Sequence, residues 1–169
     1  MPERTAAPSV PGILLVAAGA LTLARFAAIA SSLNIDGTLR FLAPLVLAAA
    51  LIGLALLETH NPTTKVALVV AGAGWAVLGI AAAVPELLSL ALLAAQVVII
   101  VAILVAGITA LRSREYGQNT RVALLVHAII SVIYLLSAVI GLYGPIAALI
   151  LVIFAVSTAA IGYYLVTRR

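Results

Sequence analysis

Arg25 is the charged residue with the most unusual position in this sequence. It lies inside an apolar segment, about seven residues from the end of that segment, which is ~10 Å of helix rise. If the segment crosses a membrane, an internal arginine costs roughly 2.5–3.5 kcal/mol on insertion scales and normally finds water or a partner. Two interpretations stay open. Arg25 extends its long side chain to the interface, or it faces a cavity as a binding or relay residue, paired with Asp36 or Glu86.

Three polar residues share one face of a later apolar segment, since His127, Ser131 and Tyr134 follow at i, i+4 and i+7. Histidine titrates near neutral pH, so one interpretation is a proton-responsive site. A relay in a membrane normally needs an acidic partner, and no apolar segment has an internal Asp or Glu. We therefore favour interhelical hydrogen bonds, each worth ~0.6–2 kcal/mol. Gln96, near the middle of another segment, is expected to bond to this face.

No combination of residues predicts a catalytic, cofactor or metal site. Ser131 and His127 share one helix and have no third partner for a hydrolase triad. His60 and His127 lack a carboxylate at a metal-ligand spacing. The glycines near Gly72 precede further apolar residues, which excludes a phosphate-binding loop. The chain has no cysteine, so disulfides and thiolate metal sites are excluded. We expect a protein that is not an enzyme and holds no cofactor.

The composition indicates a chain that lies in lipid. Of the 169 residues, 66% are hydrophobic and only 8% are charged, whereas a soluble domain carries about 25% charged residues. The formal net charge is +4. The basic residues are few and stand at the ends of apolar runs, so they set membrane topology and do not form a nucleic-acid surface.

Apolar segments long enough to cross a bilayer follow a short polar leader at 1–11. They span 12–31, 41–57, 66–84, 87–111, 122–142 and 145–166. Each has about 17–25 residues, enough for a ~30 Å hydrocarbon core. Helices satisfy every backbone hydrogen bond in lipid. Arg25 would interrupt the apolar region of a cleaved signal peptide, so the first segment is expected to remain. We predict an all-α integral membrane protein with six transmembrane helices in one domain, 12–169.

The distribution of Lys and Arg predicts the orientation of this domain. With alternating helices, Arg40 stands alone in a loop on one side. The residues on the other side are Arg4, Lys65, Arg112, Arg114, Arg121, Arg168 and Arg169. Cytoplasmic loops carry the excess of positive charge, so both termini are predicted to be cytoplasmic, in an inner or plasma membrane.

A repeated pattern groups the segments into three hairpins, at about 12–60, 65–115 and 121–169. Lys65 and Arg121 open similar apolar runs. The second segment of each hairpin has a glycine shortly before its basic-side exit. Small residues allow helices to approach closely in lipid. The glycines predicted to serve this packing are Gly53, Gly72, Gly107, Gly141 and Gly162.

These hairpins resemble the HdeD-like family of membrane proteins. The likeness lies in the stretch from Gly79–Pro85 to Gly107–Arg114, and again from Gly141–Pro145 to the end of the sequence. The first hairpin departs from the pattern, because its loop is longer and Pro44 lies inside its second helix. The resemblance implies a six-helix inner-membrane protein associated with acid or envelope stress, without catalytic residues.

Two functions fit the sequence. The first is a non-enzymatic structural or accessory membrane protein, alone, as a homo-oligomer or beside a larger membrane complex. The alternative is a small transporter or channel built from three hairpin repeats, since repeats are frequent in transporters. The expected surroundings are a lipid bilayer and a membrane-protein partner or second copy, with no nucleic acid.

Overall fold

The computed structural model describes residues 9–31, 36–84, 89–114 and 116–167, and these ranges contain six α-helices. The helices are α1 Val10–Ala30, α2 Asp36–Leu57, α3 Pro62–Ala83, α4 Ser89–Ala110, α5 Gln118–Val139 and α6 Pro145–Val166. Each of them is long and apolar enough to cross a membrane. The chain is therefore an all-α, multi-pass membrane protein, as the sequence predicts.

Helix boundaries differ from the apolar segments where polar residues form caps. α1 begins at Val10, inside the predicted leader, because the Ser9 hydroxyl accepts a hydrogen bond from the Gly12 amide at 3.3 Å. α3 begins at Pro62, four residues before its apolar run, after Asn61 accepts from the Thr64 amide at 3.1 Å. Caps of this kind extend helices beyond the apolar core into the interface.

The helices form a closed ring in chain order. Each packs against the next, and α6 packs against α1. Neighbours run antiparallel: the Thr64 hydroxyl near the start of α3 donates to the Thr109 hydroxyl near the end of α4 at 2.8 Å. One end of the ring carries Lys65, Arg112 and Arg121, and we call it the basic end. The other, where α2 begins and α3 ends, is the far end.

Glycines mark the closest helix contacts in this ring. A Cβ atom on Gly162 would lie 2.5 Å from a backbone oxygen of α1, and one on Gly107 would lie 2.8 Å from an α5 side chain. Gly53 meets α1 at 2.9 Å, and Gly72 meets α2 at 2.8 Å. Any side chain at these positions would push two helices apart.

Gly141 does not fit the predicted packing role. α5 ends at Val139, and Gly141 lies in the following turn with φ of +67°. This left-handed backbone favours glycine because it lacks a Cβ atom. An added Cβ atom would meet only the Tyr143 ring, at 3.6 Å. Gly141 therefore ends a helix and does not pack two together.

Candidate functional site

A cavity of about 310 Å³ lies inside the ring near the far end. Helices α1 to α5 all contribute to its wall. It extends along α3 from Ala82, in the last turn, to Trp75, which is ~10 Å of helix rise. The polar and aromatic residues of the wall are Arg25, Arg40, Trp75, Gln96 and Tyr134. We call it the far-end cavity.

Hydrogen-bond donors and positive charge dominate the polar part of this wall. Arg25 comes from α1 and Arg40 from the first turns of α2, while Gln96 and Tyr134 come from α4 and α5. The described wall residues include no Asp or Glu. Guanidinium groups bind carboxylate and phosphate oxygens by charge-assisted hydrogen bonds. The side chains of Asp36 and Glu86, the expected partners of Arg25, lie outside the described part of the chain.

Stacked aromatic rings form the floor of the far-end cavity. The Trp75 and Tyr134 rings stack with centroids 6.3 Å apart. Tyr134 also stacks on Phe154 of α6 at 4.6 Å, and Trp75 packs on the same ring at 5.5 Å with a tilt of 35°. Trp75 is only 3% exposed, and its indole N–H finds no acceptor among the described residues. A buried donor without a partner costs about 1–3 kcal/mol.

His127 belongs to a separate layer below this floor. It is fully buried and its ring packs on Phe154 at 5.2 Å. Its Nδ1 atom lies 2.9 Å from the Ser157 hydroxyl of α6, and its Nε2 atom lies 3.3 Å from the Ser131 hydroxyl. The predicted polar face is thus divided. His127 joins α5 to α6 through Ser157, Ser131 bonds to His127 within α5, and Tyr134 lies at the cavity.

The structure brings together Arg25, Gln96 and Tyr134, three candidates from different parts of the sequence. It adds Arg40, which the sequence assigned to topology, and Trp75, near the middle of α3. No local signal could have joined these residues, since their meeting depends on the order of helices around the ring.

A second polar cluster, at the basic end, contains a carboxylate that sequence reasoning did not select. Glu58 follows α2 directly and is fully buried. Its Oε2 atom accepts from the Ser113 hydroxyl at 2.5 Å, and its Oε1 atom accepts from the backbone N–H of Asn61 at 3.0 Å. The Tyr116 hydroxyl donates to the Leu54 carbonyl at 3.0 Å. This cluster connects the loop after α2 to the loop after α4.

Within the described ranges, no three His, Asp or Glu side chains come together in a way that could hold a metal ion. Comparison with protein-family models, curated proteins and solved structures finds no match to this chain.

Proposed function

We propose that this chain is a non-enzymatic membrane protein that binds a small organic anion in the far-end cavity. The observation that carries the proposal is the convergence of Arg25, Arg40, Gln96, Tyr134 and Trp75 on one cavity inside an apolar ring. Charged side chains within membrane helices normally face a cavity or a partner and mark ligand pathways. Their convergence favours solute handling over a purely structural role.

The wall chemistry suggests the class of ligand. Arg40 is exposed and Arg25 is half-buried, whereas Trp75 is buried at the floor. An anionic group would meet the two guanidinium groups, and an apolar or aromatic body would meet the ring stack. The cavity volume is at the lower end of the ~300–1,000 Å³ range of ligand pockets. We infer a carboxylate or phosphate ester with a compact apolar body.

Transport is the activity that this arrangement serves best. The predicted orientation puts the far end outside the cell, where Arg40 stands. The aromatic floor and the His127 layer then separate the bound solute from the cytoplasmic half. Movement of the hairpins relative to one another would open the cavity to the other side, as in transporters built from repeats.

Helix contacts support the inferred hairpin repeat. Gly107 of α4 and Gly162 of α6 each contact the first helix of the following hairpin, counting α1 as the follower of α6. Gly53 departs from this rule because it contacts Pro11 of its own hairpin. The repeat that we infer is therefore strongest in the second and third hairpins, where the HdeD-like resemblance also lies.

The only tryptophan of the chain makes a direct binding test possible. Trp75 lies at the cavity floor, so its emission should change when the cavity is filled. We expect benzoate to change the emission of the purified protein saturably and to release or absorb heat in calorimetry. Benzamide, of the same shape without the charge, should bind at least ~10-fold more weakly, since charged hydrogen bonds contribute about 1.5–3 kcal/mol.

Matched arginine variants locate the site. Arg25→Gln should weaken benzoate binding by roughly tenfold. Arg114→Gln removes the same charge at the basic end and should leave binding unchanged. Equal affinity for benzoate and benzamide, or equal loss in both variants, would contradict the proposal. Uptake of labelled benzoate by proteoliposomes, abolished by Arg25→Gln, would extend binding to transport.

An accessory role is the second candidate, and the internal bonding of polar groups favours it. Glu58, Thr64 and His127 are all fully buried and hydrogen-bonded within the chain. In a protein that only supports a complex, buried polar groups stabilise the fold and bond to one another, with none left to bind a solute. Absence of anion binding, together with a stoichiometric partner after purification in mild detergent, would favour this role. The stress-response association implied by the HdeD-like resemblance stays a hypothesis.

A further inference from the structure

An apolar groove of about 690 Å³ runs along the outer surface between α3 and α4. Its wall includes Val66 and Val70 of α3 and Val98, Val101 and Val105 of α4. Val66 is 61% exposed and Val101 is 58% exposed, so these side chains face the hydrocarbon. Valine is stiff at χ1, which makes the groove a preformed surface.

A polar pocket of about 300 Å³ adjoins this groove at the basic end. Arg112 and Arg114 line it, with His60, Asn61 and Ser113. Pro62 lines both the pocket and the groove, so the two meet at this residue. Both arginines are exposed. The nearby Glu58 carboxylate does not line the pocket, since it is buried against Ser113 and Asn61.

The two parts together have the amphipathic form of a membrane lipid. From Pro62 to Val70 the groove follows α3 for about 12 Å of helix rise, which matches the upper half of an acyl chain in one leaflet. The pocket then lies at headgroup depth. Basic pockets between transmembrane helices are suited to anionic headgroups.

We propose that the α3–α4 groove and its arginine pocket bind one anionic phospholipid from the leaflet at the basic end. The phosphate contacts Arg112 and Arg114, and one acyl chain lies between the valines of α3 and α4. Charge complementarity selects the headgroup, while the groove selects a molecule that carries a chain. This site is separate from the far-end cavity and does not depend on its function.

Native mass spectrometry of the detergent-solubilised protein tests the proposal with phosphatidylglycerol and phosphatidylcholine of identical chains. We expect phosphatidylglycerol to be retained with at least ~10-fold higher affinity. The double variant Arg112→Gln, Arg114→Gln should lose this preference. Lys65→Gln, which removes an exposed charge at the same end but outside the pocket and the groove, should keep it.

A second variant tests the acyl part without changing the charge. Val101→Trp puts a large ring into the groove and should weaken retention of both lipids, whereas Ile129→Trp, on the exposed face of α5, should not. If the arginine variant retains phosphatidylglycerol as the unaltered protein does, the proposal is wrong. If inorganic phosphate displaces the lipid and Val101→Trp has no effect, the pocket binds free phosphate instead.

Discussion

Glu58 illustrates at the residue scale how a carboxylate can be buried at the end of a membrane helix. Both of its oxygens accept hydrogen bonds, from the Ser113 hydroxyl and the backbone N–H of Asn61. Asn61 lies in the loop after α2 and Ser113 in the loop after α4, so the carboxylate holds the first and second hairpins together. Its burial follows from this local supply of donors, since an unsatisfied charge in such a place would cost several kcal/mol.

Replacing Glu58 should therefore destabilise the basic end. We expect Glu58→Ala to lower the free energy of unfolding by about 1–3 kcal/mol, because the Ser113 and Asn61 donors lose their acceptor. Thermal unfolding in detergent, followed by circular dichroism, measures the change. Thr59→Ala, at the exposed neighbouring residue, should have little effect. A Glu58→Ala protein as stable as the Thr59→Ala protein would show that the cluster contributes nothing.

The sequence could predict some residue-level features and not others. His127 and Ser131 are one helical turn apart, so their shared face follows from helix geometry alone. Ser157, the partner of the His127 Nδ1 atom, lies 30 residues away on α6. Its contact needs the packing of two helices, which no local pattern specifies. The roles of Arg40 and Glu58 could not be predicted for the same reason, because both depend on how helices distant in sequence pack together.

At the scale of the element, the close contact between α1 and α6 depends on Gly162, which has no side chain. A Cβ atom on Gly162 would lie 2.5 Å from the Gly12 carbonyl oxygen and 2.7 Å from the Val16 amide nitrogen. Both neighbours are backbone atoms, so they cannot move aside as a flexible side chain would. Close approach of this kind supplies the van der Waals contact that holds helices together in lipid.

We therefore expect Gly162→Ala to destabilise the protein by about 1–3 kcal/mol, the usual cost of overpacking. Gly37→Ala is the matched control, because an added Cβ atom there meets no atom within 4 Å. It should be neutral or slightly stabilising, since alanine suits a helix better than glycine. Thermal unfolding of both variants in detergent measures the difference in melting temperature. Equal melting temperatures would mean that α1 and α6 are not in close contact.

The presence of each helix was predicted better than the residues at which it begins and ends. Apolar length identified every helix of the described chain, because the bilayer fixes how long a span must be. The starts of α3 and α5 came four residues earlier than their apolar runs, at Pro62 and Gln118. Those first turns are polar and belong to the interface, where hydrophobicity no longer marks the helix. Asn61 and Pro62 were the available signals.

For the whole molecule, the closed ring is the feature that hydrophobicity could not predict. A hairpin pattern explains why consecutive helices are neighbours, but it leaves open whether α6 returns to α1. In the structure α6 packs against α1 through Gly12, Gly19 and Gly162, and the Ser9 hydroxyl donates to the Leu165 carbonyl at 3.5 Å. Closure is also what creates an enclosed interior for the far-end cavity.

Cross-linking can test this closure cleanly because the chain has no cysteine. We expect Ser9→Cys with Val166→Cys to be joined efficiently by a short bismaleimide within one chain in membranes. The pair Ser9→Cys with Leu111→Cys should not be joined, because Ser9 precedes α1 and Leu111 follows α4, on the opposite side of the ring. Gel mobility under denaturing conditions separates the products. Equal cross-linking of the two pairs would rule out the ring order.

Ring closure also has a consequence for biosynthesis. Helices enter the membrane in the order of translation, so α1 is inserted well before its partner α6 has been made. During that interval the small-residue face of α1, around Gly12 and Gly19, has only lipid to contact. A second nascent chain could supply its own α6 to the same face. Slow translation between α5 and α6 should therefore favour dimers that exchange this helix, as expected when an identical element can be supplied by another copy.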